Sequence, residues 1–359
     1  MSPRIGTATE AGLDPARLQQ TYALLDHWAQ SGRVPGGVLA VARQGVLVPP
    51  RAFGQRQLAG TSQPMEADAV FLVASVTKPV TALAALLLVE RGLLSLRDPV
   101  CAHVPEFGNR GKEAVQVMHL FTHTSGLPDM LPENTELRRQ HVALGVFVEH
   151  ICQCGLLFRP GTRVRYQSMG TAMLGHLVEK ISGMPLPAFM QQEIFAPLGM
   201  NSTSLGLNPA LAKRVAEVSL PEEQQRLDWT WNQPYWQHFG APWGGMFSTV
   251  ADLAALLQLL LEEGQGLLGV QTARAMVADQ TSRLPGLSPE ERQRAQAWGL
   301  GWCVGNWADL GSARSFWHGG ATGTLVGADP ESGLLCALFT TQPDGPLYYA
   351  VNAVQGAVV

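Results

Sequence analysis

One stretch of the sequence, residues 71–92, constrains the fold more than any other. From Ala82 to Val89 every residue is apolar, and Gly92 is a typical residue at the end of a helix. A helix that is apolar on all of its faces must be buried on all of them. The sequence therefore predicts a buried helix at the centre of the fold, with the rest of the chain packed around it.

The first turn of this helix carries a candidate nucleophile and a candidate base. Ser75 and Lys78 are three residues apart, so a helix places the amine within reach of the hydroxyl. A serine needs a neighbour that takes its proton, and a lysine does so only when burial or a nearby cation lowers its pKa from about 10.4. A buried helix can supply that burial. Taken alone, the pair also fits a capping serine beside a solvated lysine.

Length and charge restrict the class of protein. At about 150 residues per domain, 359 residues fit one large domain or two. The net charge of −4, with acids and bases scattered, provides no basic stripe for nucleic acid and no polybasic segment for a membrane. The N-terminal residues lack the apolar run of a signal peptide. We expect a cytoplasmic protein that acts on small neutral molecules, without nucleic-acid or membrane partners; the sequence predicts no oligomeric state.

The order of the helix and strand patterns predicts an α/β fold whose sheet is built from both ends of the chain. A helix over residues 13–29 precedes a β-hairpin with strands at 38–42 and 46–48. Strand patterns return at 298–304, 315–330 and 334–341, before a possible final helix. The middle is helical and loop-rich. We predict an α/β domain of residues 1–95 and 244–359, with a helical insertion domain of residues 96–243.

Two histidines in the insertion have a spacing that metal ligands can have. His119 and His123 are four residues apart, but Leu120 stands where a His-Glu-x-x-His protease has its glutamate, and no third ligand is evident. The five cysteines form no metal-spaced set either. We therefore predict a helix end and a structural turn here, and neither a metal nor a cofactor.

Three further segments carry residues suited to a substrate site. Tyr166 precedes an apolar helix, as Ser75 does, although a loop tyrosine is more often a packed ring than a base. Residues 228–236 concentrate aromatic side chains, Trp231 and Trp236 among them, which could line an apolar pocket or seal the insertion against the sheet. Residues 318–320 are His-Gly-Gly in or beside a strand, where glycines allow a ligand to approach the backbone.

Together these segments resemble a known superfamily. Ser75-Val76-Thr77-Lys78, Tyr166-Gln167-Ser168 and His318-Gly319-Gly320 have the order and approximate spacing of the three motifs of serine β-lactamases and penicillin-binding proteins. The chain is similar to the class C β-lactamase-related branch, and most similar to its family VIII carboxylesterases. The likeness extends over nearly the whole chain.

The resemblance implies a fold and a set of roles. The fold is a mixed, mainly antiparallel sheet flanked by helices, with an all-helical insertion and a site between the two. Ser75 would be the acylated nucleophile, Lys78 its proton acceptor, and Tyr166 the base that relays protons to the leaving group and activates water. The backbone N–H groups of Ser75 and Ala321 would form the oxyanion hole. The resemblance leaves open whether Lys78 or Tyr166 is the main base, because two coupled groups titrate as a pair.

Two departures from the lactamase pattern favour a neutral ester as substrate. His318 stands where lactamases have a lysine that holds the substrate carboxylate, and Ser168 replaces an asparagine that contacts the acylamino group. With Gly319, Gly320, Trp231 and Trp236, these two residues are our predicted substrate-binding set.

We predict a serine carboxylesterase acting on small, fairly hydrophobic esters through an acyl-enzyme. The alternatives on the same site are an acyltransferase, a D-amino-acid amidase or peptidase, and a weak β-lactamase. A penicillin-sensor-like binding protein that is acylated without turnover is the non-enzymatic alternative. No Gly-x-Ser-x-Gly motif is present, which argues against an α/β-hydrolase.

Overall fold

The computed structural model describes residues 3–359, and its strands lie mostly near the two ends of the chain. The strands are β1 (Arg4–Ile5), β2 (Gly36–Arg43), β3 (Val46–Leu58), β4 (Thr61–Pro64), β5 (Val70–Leu72), β6 (Ser204–Leu205), β7 (Val215–Ala216), β8 (Met246–Ser248), β9 (Cys303–Val304), β10 (Phe316–Gly320), β11 (Thr324–Asp329) and β12 (Leu334–Thr340).

The helices fill the space between these strands. They are α1 (Pro15–Gln30), α2 (Thr77–Glu90), α3 (Val100–His103), α4 (Val117–Phe121), α5 (Asn134–Arg139), α6 (Leu144–Gln153), α7 (Ser168–Ser182), α8 (Leu186–Met190), α9 (Glu222–Gln225), α10 (Pro234–Phe239), α11 (Val250–Leu261), α12 (Val270–Val277), α13 (Pro289–Arg294) and α14 (Leu347–Gln355). Among residues 3–359, none of the helices combines the length and the apolar composition that a membrane span requires.

The large sheet joins the two ends of the chain, as the sequence predicts. Its order is β1-β3-β2-β12-β11-β10-β9, and β4 pairs with β3. The central contact is antiparallel pairing of β2 with β12, in which Leu39 faces Leu338. Within residues 3–359, β1 is the one strand of this sheet that runs parallel to its neighbour. The fold is therefore the mixed, mainly antiparallel sheet of the β-lactamase and transpeptidase-like fold.

A smaller sheet supports the start of the central helix. Its order is β6-β8-β5-β7, and β5 ends two residues before Ala74. Two of its strands, β6 and β7, come from the middle of the chain, which is otherwise helical and irregular. Each of those two strands has only two residues, so neither shows an alternation of apolar and polar residues that could reveal it in the sequence.

The large sheet separates two apolar layers. Alternate residues of β2 face opposite sides: Leu39 and Val41 contact the layer formed with α1 and α14, while Val38 and Ala40 face the larger cluster that contains α2 and α11. Helix α2 is buried from Thr77 to Leu88, as its composition predicts, and packs against α7. The central helix is thus held between the sheet and the helical segment.

Candidate active site

Ser75 lies in a short 3₁₀ turn, Ala74–Val76, between β5 and α2. Ala74 has a left-handed backbone with φ of 45°. The Thr77 hydroxyl stabilises the turn, because it donates to the Ala74 carbonyl at 2.6 Å and accepts from the N–H of Met246 at 3.1 Å. The side chain of Ser75 remains half-buried at the start of the helix, where backbone N–H groups lack intrahelical acceptors.

Lys78 is fully enclosed and contacts Ser75 directly. Its Nζ donates to Ser75 Oγ at 3.0 Å and to the carbonyl oxygen of Trp243 at 2.9 Å. Burial lowers the pKa of Lys78 to about 7, and the negative charge of Asp129 opposes part of that decrease. Near neutral pH the amine is therefore partly uncharged and can accept a proton from the hydroxyl.

Tyr166 completes the group of three side chains that the sequence motifs predict. Its ring centre lies 4.6 Å from Lys78 Nζ. Burial raises the pKa of Tyr166 well above its ordinary value, and the neighbouring Ser75 hydroxyl opposes that increase. The phenol is consequently protonated at neutral pH. It is suited to donate and relay protons beside Lys78.

The connection between β10 and β11 is attached to the backbone that precedes Ser75. Thr322 Oγ1 donates to the Leu72 carbonyl at 2.6 Å, and Thr324 Oγ1 donates to the Val73 carbonyl at 2.9 Å. Ala321 lies next to Thr322, and its backbone N–H donates to no other residue in the described part of the chain. These two bonds hold the turn that contains Ala321 against the segment that precedes Ser75. The oxyanion hole of Ser75 and Ala321 stays a prediction.

His318 is buried in β10, close to the charge of Lys78. Its Nδ1 is 2.8 Å from the Gly319 carbonyl, and its Nε2 has no hydrogen-bond partner among the described residues. Burial lowers the pKa of His318 to about 3, and the charge of Lys78 acts in the same direction. The ring is therefore neutral at neutral pH. It provides no positive charge for a substrate carboxylate.

Ser168 has a partner that the sequence did not reveal. Its Oγ donates to Asp129 Oδ1 at 2.7 Å, and its N–H donates to the same oxygen at 2.8 Å. Asp129 is exposed, and its negative charge raises the pKa values of Lys78 and Tyr166. The Ser168 hydroxyl, which we predicted to bind the substrate, is thus hydrogen-bonded to the carboxylate of Asp129.

The two predicted tryptophans lie in different environments. Trp236 is buried, packs against Trp229 and Phe239, and with Trp229 surrounds the Arg138 guanidinium, whose carbon is 4.5 Å from both ring centres. Trp231 is half-buried and lines a surface hollow of about 270 Å³ together with Trp229 and four other residues. Trp236 therefore has the sealing position, whereas the hollow that Trp231 lines includes none of Ser75, Lys78 and Tyr166, so substrate binding by Trp231 stays a prediction.

The sequence matches the Beta-lactamase family over residues 19–358. The chain belongs to this family. Esterase EstB of Burkholderia gladioli is 36% identical over 208 residues, which cover 54% of this chain and 53% of that protein. This member of the Beta-lactamase family is thus an enzyme, a serine hydrolase of the β-lactamase-like family.

Two solved structures show the same fold as this family member. EstCE1, described as a hydrolase with promiscuous acyltransferase activity, has a TM-score of 0.76 and 22% identity, covering 96% of this chain and 98% of its own. Unliganded simvastatin synthase, LovD, from Aspergillus terreus has a TM-score of 0.77 and 23% identity, covering 95% and 98%. At these identities the likeness concerns the fold alone.

In this family member the two histidines of the sequence-predicted turn contact the Tyr166 segment. The main-chain carbonyl of His119 accepts from Gln167 Nε2 at 3.1 Å, and His123 accepts from the backbone on both sides of Tyr166. No group of three or more potential metal ligands occurs within residues 3–359. The structural turn that we predicted is therefore a support for the loop of the second motif.

Sequence reasoning missed Asp129 and the function of His123 in this site. Both act on residues about 40 positions further along the chain, through contacts between two loops. No spacing within either loop indicates such a contact. The run of polar residues before Leu127 was the available signal, because buried polar side chains require partners.

Proposed function

We propose that this enzyme is a serine carboxylesterase that cleaves small, fairly hydrophobic esters through an acyl-enzyme on Ser75. The observation that carries the proposal is the 3.0 Å contact between Ser75 Oγ and Lys78 Nζ, made by a lysine whose pKa is about 7. An amine that is partly neutral at pH 7 can take the hydroxyl proton. The identity to esterase EstB supports an ester substrate and the family VIII branch.

Acylation begins with attack of Ser75 Oγ on the ester carbonyl carbon while Lys78 takes the hydroxyl proton. The backbone N–H groups of Ser75 and Ala321 stabilise the resulting oxyanion. Loss of one such donor typically costs about 3 to 4 kcal/mol of transition-state stabilisation. The carbon–oxygen bond to the alcohol then breaks. Tyr166 gives its proton to the departing oxygen, and the ammonium group of Lys78 returns a proton to Tyr166.

Deacylation uses the same groups in reverse order. Water attacks the acyl carbonyl, and its proton passes through Tyr166 to Lys78. The bond to Ser75 Oγ breaks, and Oγ recovers the proton from Lys78, which restores the free enzyme. Lys78 is the main base in both halves of the reaction, because burial keeps the Tyr166 phenol protonated near neutral pH.

The charges around Ser75 support a neutral substrate. His318 is uncharged at neutral pH, so the position at which lactamases bind a carboxylate offers no cation here. Asp129 adds a negative charge on the Ser168 side of the site. Both features disfavour an anionic substrate such as a penicillin, whereas a neutral ester encounters neither repulsion nor an unpaired charge.

The decisive experiment compares the wild-type chain with Ser75→Ala on p-nitrophenyl acetate, butyrate and octanoate, with a chromogenic cephalosporin in parallel. We expect ester turnover that falls by several orders of magnitude in the variant, and little cephalosporin cleavage. Ser62→Ala is the matched control, because Ser62 is exposed on β4. Mass spectrometry of the intact protein during turnover should detect an acyl group on the wild type only.

Other outcomes select the other candidates. Retention of ester turnover by Ser75→Ala would show that the nucleophile is a different residue. Faster transfer to an added alcohol than to water would identify an acyltransferase, and preferential cleavage of D-amino-acid amides would identify an amidase. An acyl adduct that persists without turnover would indicate a sensor.

A further inference from the structure

Strained backbone occurs at two buried positions, both beside the proposed catalytic side chains. Several non-glycine residues among residues 3–359 have a positive φ, but only Ala74 and His123 among them are buried. Ala74 directly precedes Ser75, and its conformation belongs to the turn described above. Left-handed backbone at a non-glycine residue is unfavourable and persists where the surrounding structure enforces it. His123, with φ of 58°, has no part in the proposed reaction and needs its own explanation.

His123 binds the main chain on both sides of Tyr166. Its carbonyl oxygen accepts from the N–H of Arg165 at 2.8 Å, and its ring Nδ1 accepts from the N–H of Gln167 at 3.2 Å. Because the carbonyl and the ring of one residue hold both neighbours, the left-handed conformation of His123 determines where Tyr166 lies. A right-handed residue at this position would direct the side chain elsewhere and lose one of the two bonds.

The imidazole ring also limits the movement of the Tyr166 ring. The ring centre of His123 lies 4.8 Å from that of Tyr166 and 4.2 Å from that of Trp298. Because Gln167 donates to Nδ1, this nitrogen is unprotonated, and the neutral ring has its hydrogen on Nε2. Nε2 is buried and has no hydrogen-bond partner among the described residues. The protein thus retains a buried donor without a partner in order to keep an acceptor beside Gln167.

We propose that His123 is the positioning residue for Tyr166, holding the phenol beside Ser75 and Lys78 by binding the backbone of Arg165 and Gln167. The proposal rests on the proposed function for the role of Tyr166 in proton transfer, and on the geometry alone for the position of the ring. His123 does not contact the reacting atoms.

The first test is a pair of substitutions at this position. His123→Phe keeps an aromatic ring but removes the acceptor for the Gln167 N–H. We expect kcat for p-nitrophenyl butyrate to fall about 100-fold with little change in KM, the size of effect that a displacement of about 1 Å produces. His123→Asn offers an oxygen near the position of Nδ1 and tolerates a left-handed backbone, so it should recover most of the lost kcat.

A matched control and a second background separate positioning from general damage. His141 is also left-handed, with φ of 53°, but is exposed, so His141→Phe should leave kcat unchanged. In a Tyr166→Phe background, His123→Phe should cause no further loss, because the residue acts through Tyr166. A full additional loss in that background would overturn the proposal, as would equal losses in His123→Phe and His123→Asn.

Amide hydrogen exchange tests the positioning without relying on ester turnover. In the wild type and in His123→Asn, the N–H groups of Arg165 and Gln167 should both be protected. In His123→Phe the Gln167 N–H should exchange faster, while α2 retains its protection if the fold is intact. An unchanged rate at Gln167 would refute the positioning role. If the wild type cleaves no ester, the proposed function fails. The exchange data still test whether His123 holds the backbone on both sides of Tyr166.

Discussion

Lys78 is the residue whose charge state controls the proposed reaction, and several groups act on it. Burial favours the neutral amine, whereas Asp129 favours the ammonium form. His123 and His318 also lie near Lys78; burial lowers the pKa of both rings, and the charge of Lys78 acts in the same direction, so both rings are neutral. The face of the Tyr166 ring lies 4.6 Å from Nζ. Burial, opposed in part by the charge of Asp129, gives Lys78 a pKa of about 7.

This balance predicts the pH dependence of the enzyme. Because the base must be unprotonated, kcat/KM for a neutral ester should rise with pH around 7 and then level off. Asp129→Asn removes the negative charge that favours the ammonium form, so the midpoint should move to lower pH by up to about one unit. A stopped-flow or plate assay of p-nitrophenyl butyrate from pH 5 to 9 measures both curves.

The control for this prediction is Asp344→Asn. Asp344 is exposed in the turn after β12, and its substitution changes the net charge by the same amount. Its midpoint should equal that of the wild type. If Asp129→Asn has the wild-type midpoint, or if the wild type shows no increase around pH 7, then Lys78 is not the base whose titration limits the rate.

The sequence predicted some of these residues and missed others for a physical reason. Ser75 lies in the 3₁₀ turn that runs directly into α2, so the spacing of three residues from Lys78 already determines that the two side chains meet. Tyr166 could be assigned only by the motif order. Asp129 and His123 act through loop-to-loop hydrogen bonds across about 40 residues, and no local periodicity describes such contacts.

At the scale of elements, the contact between β10 and the segment that leads into Ser75 leaves no room for a side chain at Gly320. A Cβ atom on Gly320 would lie 2.2 Å from Thr324 Oγ1 and 2.3 Å from the Val73 carbonyl oxygen. A Cβ atom on Gly319 would lie no closer than 3.8 Å to any neighbour, which is ordinary van der Waals contact. The two adjacent glycines therefore differ sharply in what a methyl group would displace.

We expect Gly320→Ala to lower the free energy of unfolding by about 1 to 3 kcal/mol, because backbone and a bound hydroxyl must move to admit the methyl group. Since the displaced backbone leads into Ser75, kcat should fall as well. Gly319→Ala should change the free energy of unfolding by less than about 0.5 kcal/mol. Urea denaturation at pH 7 measures both variants. Equal destabilisation by the two substitutions would show that the close approach of Gly320 to Val73 is absent.

Strand β3 shows why element boundaries differed from those predicted. The sequence indicates a strand at residues 46–48, before Pro49 and Pro50, because proline interrupts the hydrogen bonds of a sheet. In the structure the strand continues to Leu58. The register between β2 and β3 shifts between Leu39 and Val41, so the two prolines lie at a β-bulge where paired N–H groups are not needed. The bulge depends on the pairing of β3 with β2, so the sequence of β3 alone does not reveal it.

At the scale of the whole molecule, one apolar cluster crosses the predicted domain boundaries. It contains Leu83 of α2, Leu174 of α7 and Leu256 of α11, together with residues of β2, β11 and β12. The α/β part supplies Ser75, Lys78 and Ala321, whereas the segment of residues 96–243 supplies Tyr166 and Asp129. The site therefore needs both parts in one arrangement. The division into two domains stays a prediction, and an unfolding experiment tests it.

The continuous cluster predicts that the chain unfolds in a single cooperative transition. Tryptophan fluorescence and far-ultraviolet circular dichroism in urea should give coincident curves, because α2 cannot lose its contacts with α7 while the rest of the cluster remains packed. Leu83→Ala, at a fully buried position, should shift both curves together and lower the free energy of unfolding by about 2 to 5 kcal/mol.

The exposed Leu310 provides the control, since Leu310→Ala should leave both curves in place. Two separate transitions, or a shift of only one curve in Leu83→Ala, would mean that residues 96–243 unfold independently of the α/β domain. In that case the contact between Tyr166 and Ser75 would depend on how two separately stable domains dock.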